Sequence, residues 1–221
     1  MKMELFARSP KHLPIFKYTF GASGPRALII GGVHGDEPEG VIAAQGVLAA
    51  LNESFNYALQ VIVIPEFNPE GIMNKQRMNS HGVDLNRNLP TKDWSPIAAK
   101  ERYFPGPSAG SEPENKALVH LLETTPLDLI ISLHSWNPMI NINGSGCQPE
   151  ADILKKYTQY PIEPDIGYPT PGSLGTYAGK ERNISTITFE IQRDIEFDKI
   201  SKIHVPALLE CLKQTEKRTR S

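Results

Sequence analysis

His34 and Glu37, three residues apart in His34-Gly35-Asp36-Glu37, can reach one metal ion from a tight loop or a first helical turn. The spacing alone says little. A second pair of the same spacing, His120 and Glu123, sits in an amphipathic helical pattern, opposite the apolar side, and reads as solvated surface. Context separates the two pairs. His34 and Glu37 follow a buried-strand pattern and precede a helical one, the place where open α/β sheets collect ligands. His134 closes another apolar run, Leu129–Leu133, and would complete a His2Glu set that leaves one position of a tetrahedral zinc open for water. Glu190 ends the run Ser185–Ile191. A carboxylate there is desolvated unless it faces a site, and burial and a nearby cation pull its pKa in opposite directions. Within reach of the water it can serve as base and then as acid.

Val83-Asp84-Leu85-Asn86-Arg87-Asn88 is a dense polar cluster with no clean alternation. Arg87 offers a planar fork for a carboxylate and Asn86 an amide donor. Arg77, upstream, is a cation that could stabilise oxyanion charge. The remaining histidines have weaker context: His12 and His204 read as surface residues, and His81 lies in a turn, Asn79-Ser80-His81-Gly82.

The elements that must position these groups follow from periodicity. Ala27–Val33, Val61–Ile64, Leu129–Leu133 and Ser185–Ile191 are short, β-branched apolar runs that predict buried strands. Pro38–Asn52, Glu112–Thr124 and Phe197–Leu212 predict helices, with Pro38 suited to a first turn. Leu5–Arg8 and Ile15–Phe20 predict an N-terminal hairpin. Strands alternating with helices predict one α/β domain, residues 1–221, with a central mixed, mostly parallel sheet flanked by helices. Each chemically interesting segment lies just after an apolar run, at a strand's carboxyl end.

Taken in order, His34-x-x-Glu37, Arg77, Asp84-x-Asn86-Arg87, His134, Tyr168 and Glu190 resemble the zinc carboxypeptidase family over about residues 27–191. Gly31–Gly40, Asn68–Gly71, Gly82–Pro90 and Ile166–Gly175 carry a closer likeness to its bacterial murein tripeptide amidases, the γ-D-glutamyl-diaminopimelate amidases. The resemblance implies one zinc ion on His34, Glu37 and His134, with Asp84 behind His34 fixing its tautomer. It implies that Arg77 polarises the scissile carbonyl, that Asn86 and Arg87 grip the leaving residue's carboxylate, and that Glu190 is the general base. Tyr168 would close over substrate, with Tyr177 as the alternative. Arg102, Arg182 and Arg193 are candidates for a second charged group on the substrate, each more simply read as a surface arginine.

Composition sets the outer limits. The 221 residues carry 23 Lys+Arg against 25 Asp+Glu, a net charge of −2, with 39% hydrophobic residues. That excludes a disordered chain and a dominantly basic nucleic-acid binder. A folded surface of roughly 10,000 Å² is expected for this mass. Cys147 and Cys211 belong to no Cys-x-x-Cys pair, so any zinc is held by His and Glu, and reduced thiols in a cytoplasmic protein are expected. No apolar stretch suits a signal peptide or a membrane span. The expected partner is a small peptide with a free C-terminal carboxylate, with no nucleic acid and no membrane involved; the oligomeric state is left open. The expected activity is hydrolysis of the γ-D-Glu–meso-diaminopimelate bond in cell-wall recycling. The alternatives are an N-acyl amino acid deacylase of the aspartoacylase and succinylglutamate desuccinylase type, a periplasmic cell-shape carboxypeptidase, and a silent peptide-binding protein.

Overall fold

A computed structural model describes residues 1–218. Eight strands form one sheet: β1 (Lys2–Arg8), β2 (Pro14–Phe20), β3 (Arg26–Ile30), β4 (Gln60–Ile64), β5 (Leu129–Trp136), β6 (Met139–Asn143), β7 (Ile162–Glu163) and β8 (Thr186–Gln192). Their spatial order is β1-β2-β4-β3-β5-β8-β6-β7. The central four, β4-β3-β5-β8, are parallel, and β2 and β6 flank them antiparallel. The mixed, mostly parallel α/β sheet expected from the sequence is therefore the fold. The N-terminal hairpin also forms, with a bulge between Leu5 and Ala7.

The apolar runs are continuous because both faces of the sheet are covered. Ala27, Ile29, Val61, Val63, Leu129 and Ile131 point to one face, while Leu28, Ile30, Ile62, Ile64 and Ile130 point to the other. Helices α1 (Pro38–Glu53), α4 (Gln148–Thr158) and α6 (Val205–Arg218) pack together on the first face. The second face is covered by α3 (Pro113–Thr124), by the segment around Leu85 and Leu89, and by a π-turn over Gly175–Lys180. A short helix, α2 (Pro69–Asn74), follows β4. The total exposed surface is 9820 Å², close to the expected value.

Three expectations change. The strand read as Ala27–Val33 stops at Ile30, because Gly31 and Gly32 turn the chain. The helix read as Phe197–Leu212 is composite: α5 (Phe197–Lys199), a π-turn Ile200–His204, and α6. The π-turn shifts the helical phase, and this overturns the reading of His204 as a surface residue. Its ring is 2% exposed, packed between Tyr160 and Phe189, with Nε2 bonded to the Tyr160 hydroxyl at 3.0 Å.

Candidate active site

Beyond the apolar positions, the second face of the sheet turns polar. On β5, Ser132 and His134 alternate with the core residues Ile131 and Leu133. On β8, Thr186, Thr188 and Glu190 alternate with Ile187, Phe189 and Ile191. The parallel register sets His134 directly beside Glu190. β3 lies next to both β4 and β5, so the loop after it opens at a topological switch point, where α/β sheets hold ligands. His34 and Glu37 arrive on that loop. Gly35 lets it pass against α2, since a Cβ there would stand 1.9 Å from the Gly71 carbonyl carbon. Pro38 then starts α1.

Ligand atoms of His34, Glu37 and His134 all lie within 4.8 Å of one another, and all three residues are buried. His34 Nδ1 stands 3.0 Å from Glu37 Oε1 and 3.1 Å from His134 Nδ1, which is 3.0 Å from Glu37 Oε2. The outer ring nitrogens are held separately: His34 Nε2 donates to Asp84 Oδ1 at 3.0 Å, and His134 Nε2 lies 2.9 Å from Ser132 Oγ. Asp84 takes the Nε2 hydrogen, so His34, on losing its Nδ1 proton, turns a lone pair into a space already faced by a carboxylate and a second ring nitrogen. A divalent cation satisfies that crowd of acceptors, and the donor set fits zinc with one position left open.

Charges around the trio are fixed by burial and pairing. Burial alone would raise Glu37 and Asp84. The charges of His34 beside Glu37, and of Arg77 and His34 beside Asp84, outweigh it and hold both carboxyls well below the usual range. Arg77 donates from Nε to Asp84 Oδ2 at 2.8 Å and from Nη1 to Glu37 Oε1 at 3.2 Å. Glu190 behaves oppositely. Burial, with Glu37 adding, pushes it up to about 7 against the pull of His134, Arg77 and Arg193. Among the described residues its buried Oε2 has no hydrogen-bond partner. A carboxylate poised near neutrality beside a candidate metal site suits proton transfer.

A cavity of about 790 Å³ opens over these groups, within the size range of small-ligand sites. Asn86 and Arg87 line it; Asn86 Oδ1 accepts from the Leu174 amide, which leaves its amide nitrogen toward the cavity. Tyr168 lines the cavity and stacks on Tyr103 at 6.1 Å, with Trp136 edge-on at 5.7 Å. Tyr177, the alternative, is fully buried in the core and donates its hydroxyl to Glu123. Arg102 and Arg193 lie on the cavity wall, whereas Arg182 sits 3.5 Å above the Tyr177 ring, outside the cavity. The decoy pair His120 and Glu123 is on the exposed side of α3. His81 is in its expected turn and partners Glu112 at 2.8 Å.

Tyr103 has no role in the sequence reading. Its ring faces the guanidinium groups of Arg77 at 5.2 Å, Arg87 at 5.3 Å and Arg102 at 5.7 Å. A lone tyrosine after an arginine carries no signal of this kind. Asn141 and Asn143 also line the cavity, and Met139-Ile140-Asn141-Ile142-Asn143 shows the alternation of a strand with one polar side.

The site and fold define a hydrolase class, and comparison with known proteins agrees. A family model described as zinc carboxypeptidase matches residues 11–150, and the chain belongs to that family. Among relatives, murein peptide amidase A of Escherichia coli K12 is 31% identical over 203 residues, covering 87% of this chain and 81% of the relative. The murein peptide amidase A of Vibrio campbellii is 31% identical, covering 86% and 78%. The crystal structure of murein-tripeptide amidase MpaA from Escherichia coli O157 superimposes with a TM-score of 0.81 at 28% identity, over 96% of this chain and 92% of that one. Carboxypeptidase A from Helicoverpa armigera shares the fold, with a TM-score of 0.82 at 17% identity over 99% and 68%.

Proposed function

We propose that this hydrolase is a zinc amidase that cleaves the bond between γ-D-glutamate and meso-diaminopimelate in the murein tripeptide L-Ala-γ-D-Glu-meso-diaminopimelate. The observation that carries the substrate assignment is the similarity to murein peptide amidases over most of both chains. His34, Glu37 and His134 would hold one zinc ion, which when bound supplies Lewis acidity at the scissile carbonyl. Asn86 and the Arg87 fork take the free carboxylate of the leaving residue. Arg77 spends Nε and Nη1 on Asp84 and Glu37, which leaves Nη2 to donate to the carbonyl oxygen as charge grows there. Glu190 removes a proton from the attacking water and returns it to the amide nitrogen that leaves. Tyr168, stacked on Tyr103 at the cavity edge, closes over the bound peptide.

Cytoplasmic peptidoglycan recycling is the setting for this activity. Cys147 and Cys211 are both buried and belong to no Cys-x-x-Cys pair, which suits a reducing compartment. No helix among the described residues is long and apolar enough to cross a membrane. The test is a substrate panel read by mass spectrometry with and without chelator. Release of diaminopimelate from the tripeptide is expected. Its absence, with good turnover of ordinary C-terminal peptides or of acyl amino acids, would replace this reading by a carboxypeptidase or a deacylase.

A further inference from the structure

The cavity continues past Glu190 along the sheet. β6 lies antiparallel to β8, with Met139 opposite Glu190, Asn141 opposite Thr188 and Asn143 opposite Thr186. Residues two apart on a strand share a face, so Glu190, Thr188, Asn141 and Asn143 form one polar row. Each step of two residues is about 7 Å, so the row leads away from the base toward Asn143. Both asparagines are buried. Asn143 donates from Nδ2 to Asn141 Oδ1 at 2.7 Å, and Asn141 donates from Nδ2 to the Glu163 carbonyl at 3.0 Å. These bonds fix both amides. Among the described residues Asn143 Oδ1 takes no donor.

Lys180 and Asp165, of opposite charge, are among the residues that line the same cavity. Lys180 ends the π-turn and forms no ion pair among the described residues. Among the described residues Asp165 accepts the Gly167 amide and forms no ion pair. With the leaving residue's carboxylate at Asn86 and Arg87 and its nitrogen at Glu190, its side chain has this polar row ahead of it. An apolar side chain would desolvate fixed polar groups there without pairing them. A lone ammonium would meet Lys180, and a lone carboxylate would meet Asp165. A group carrying both charges pairs with both.

We propose that Lys180 and Asp165, together with Asn143, determine specificity by binding a zwitterionic amino-acid group at the far end of the leaving residue's side chain. This inference rests on the amidase reading, in which that group is the distal centre of meso-diaminopimelate. Lys180 takes its carboxylate, while Asp165 and Asn143 Oδ1 take its ammonium.

The test uses the zinc-loaded full chain and three tripeptides that differ only in the leaving residue: meso-diaminopimelate, L-lysine, which lacks the distal carboxylate, and L-2-aminopimelate, which lacks the distal ammonium. Wild type should prefer diaminopimelate over each by about tenfold or more in kcat/KM, the effect of a charge-assisted hydrogen bond. Lys180→Met should collapse the diaminopimelate-to-lysine ratio, and Asp165→Asn the diaminopimelate-to-aminopimelate ratio. Both side chains are exposed, so neither variant threatens folding. Calorimetric binding of free meso-diaminopimelate should weaken in both variants, independently of turnover. Wild-type cleavage with unchanged ratios and unchanged binding in both variants would overturn this inference and leave the amidase reading standing. Failure of the wild type to cleave any of the three would overturn both.

Discussion

Asp84 and His34, fifty positions apart in the chain, are joined by a buried hydrogen bond of 3.0 Å from Nε2 to Oδ1. The other oxygen of Asp84 holds Arg77. One carboxylate thus sets both the tautomer of a candidate metal ligand and the angle of the cation beside it. Asp84→Asn should lower zinc affinity about 10–100-fold, the usual cost of losing such a support. Competition titration against a chelator measures it; wild-type affinity in the variant would contradict the role.

Glu190→Gln removes the proposed proton acceptor while keeping the shape of a side chain that sits beside His134. Turnover should fall about 10²–10⁴-fold, with zinc content and binding of a non-cleavable tripeptide analogue retained. If activity survives, another group carries the proton.

Gly172→Ala tests how the glycine- and proline-rich stretch shapes the site. Gly172 has φ of +71°, and a Cβ there would lie 2.0 Å from the Arg87 carbonyl oxygen. The Gly172 carbonyl accepts the Leu89 amide, and two residues on Leu174 donates to Asn86. Forcing them apart should cost about 1–3 kcal/mol in urea unfolding. It should also raise KM by displacing Asn86 and Arg87. Unchanged KM with unchanged stability would mean that the two segments are not coupled.

Glu114 is another buried carboxylate, outside the candidate metal trio. Burial, with Glu112 and Glu70 adding, pushes it up to about 7 against the hydrogen bonds from its own backbone amide and from Asn79. The folded value is above the ordinary glutamate value of about 4.3, so the fold favours the neutral acid. Its stabilising contribution is present below about pH 4.3 and lost as pH rises to about 7. Glu114→Gln keeps an acceptor for Asn79 without the charge. The variant should match wild type near pH 4 and exceed it by on the order of 2–3 kcal/mol at pH 8. Equal differences at the two pH values in urea melts would show that Glu114 does not titrate in this way.

The sequence by itself determined the sheet's central strands and the proposed zinc ligands. Continuous apolar runs have few ways to be buried, and His34, Glu37, His134 and Glu190 all follow or end such runs. It also marked the proposed carboxylate-binding pair, because Asp84-x-Asn86-Arg87 is polar where a core segment would not be. Other assignments depended on contacts between distant segments. Tyr168 and Tyr177 lie in the same glycine-rich stretch, and only packing separates the one in the cavity from the one in the core. His204 reads as surface until a π-turn shifts its phase by a fraction of a turn and buries it. Tyr103 has a place in the site only because three arginines from separate positions converge on its ring. Periodicity reports which side of an element is apolar. Strand order and register decide which polar side chains then face one another, and here they set His134 beside Glu190 and extend the cavity to Asn143.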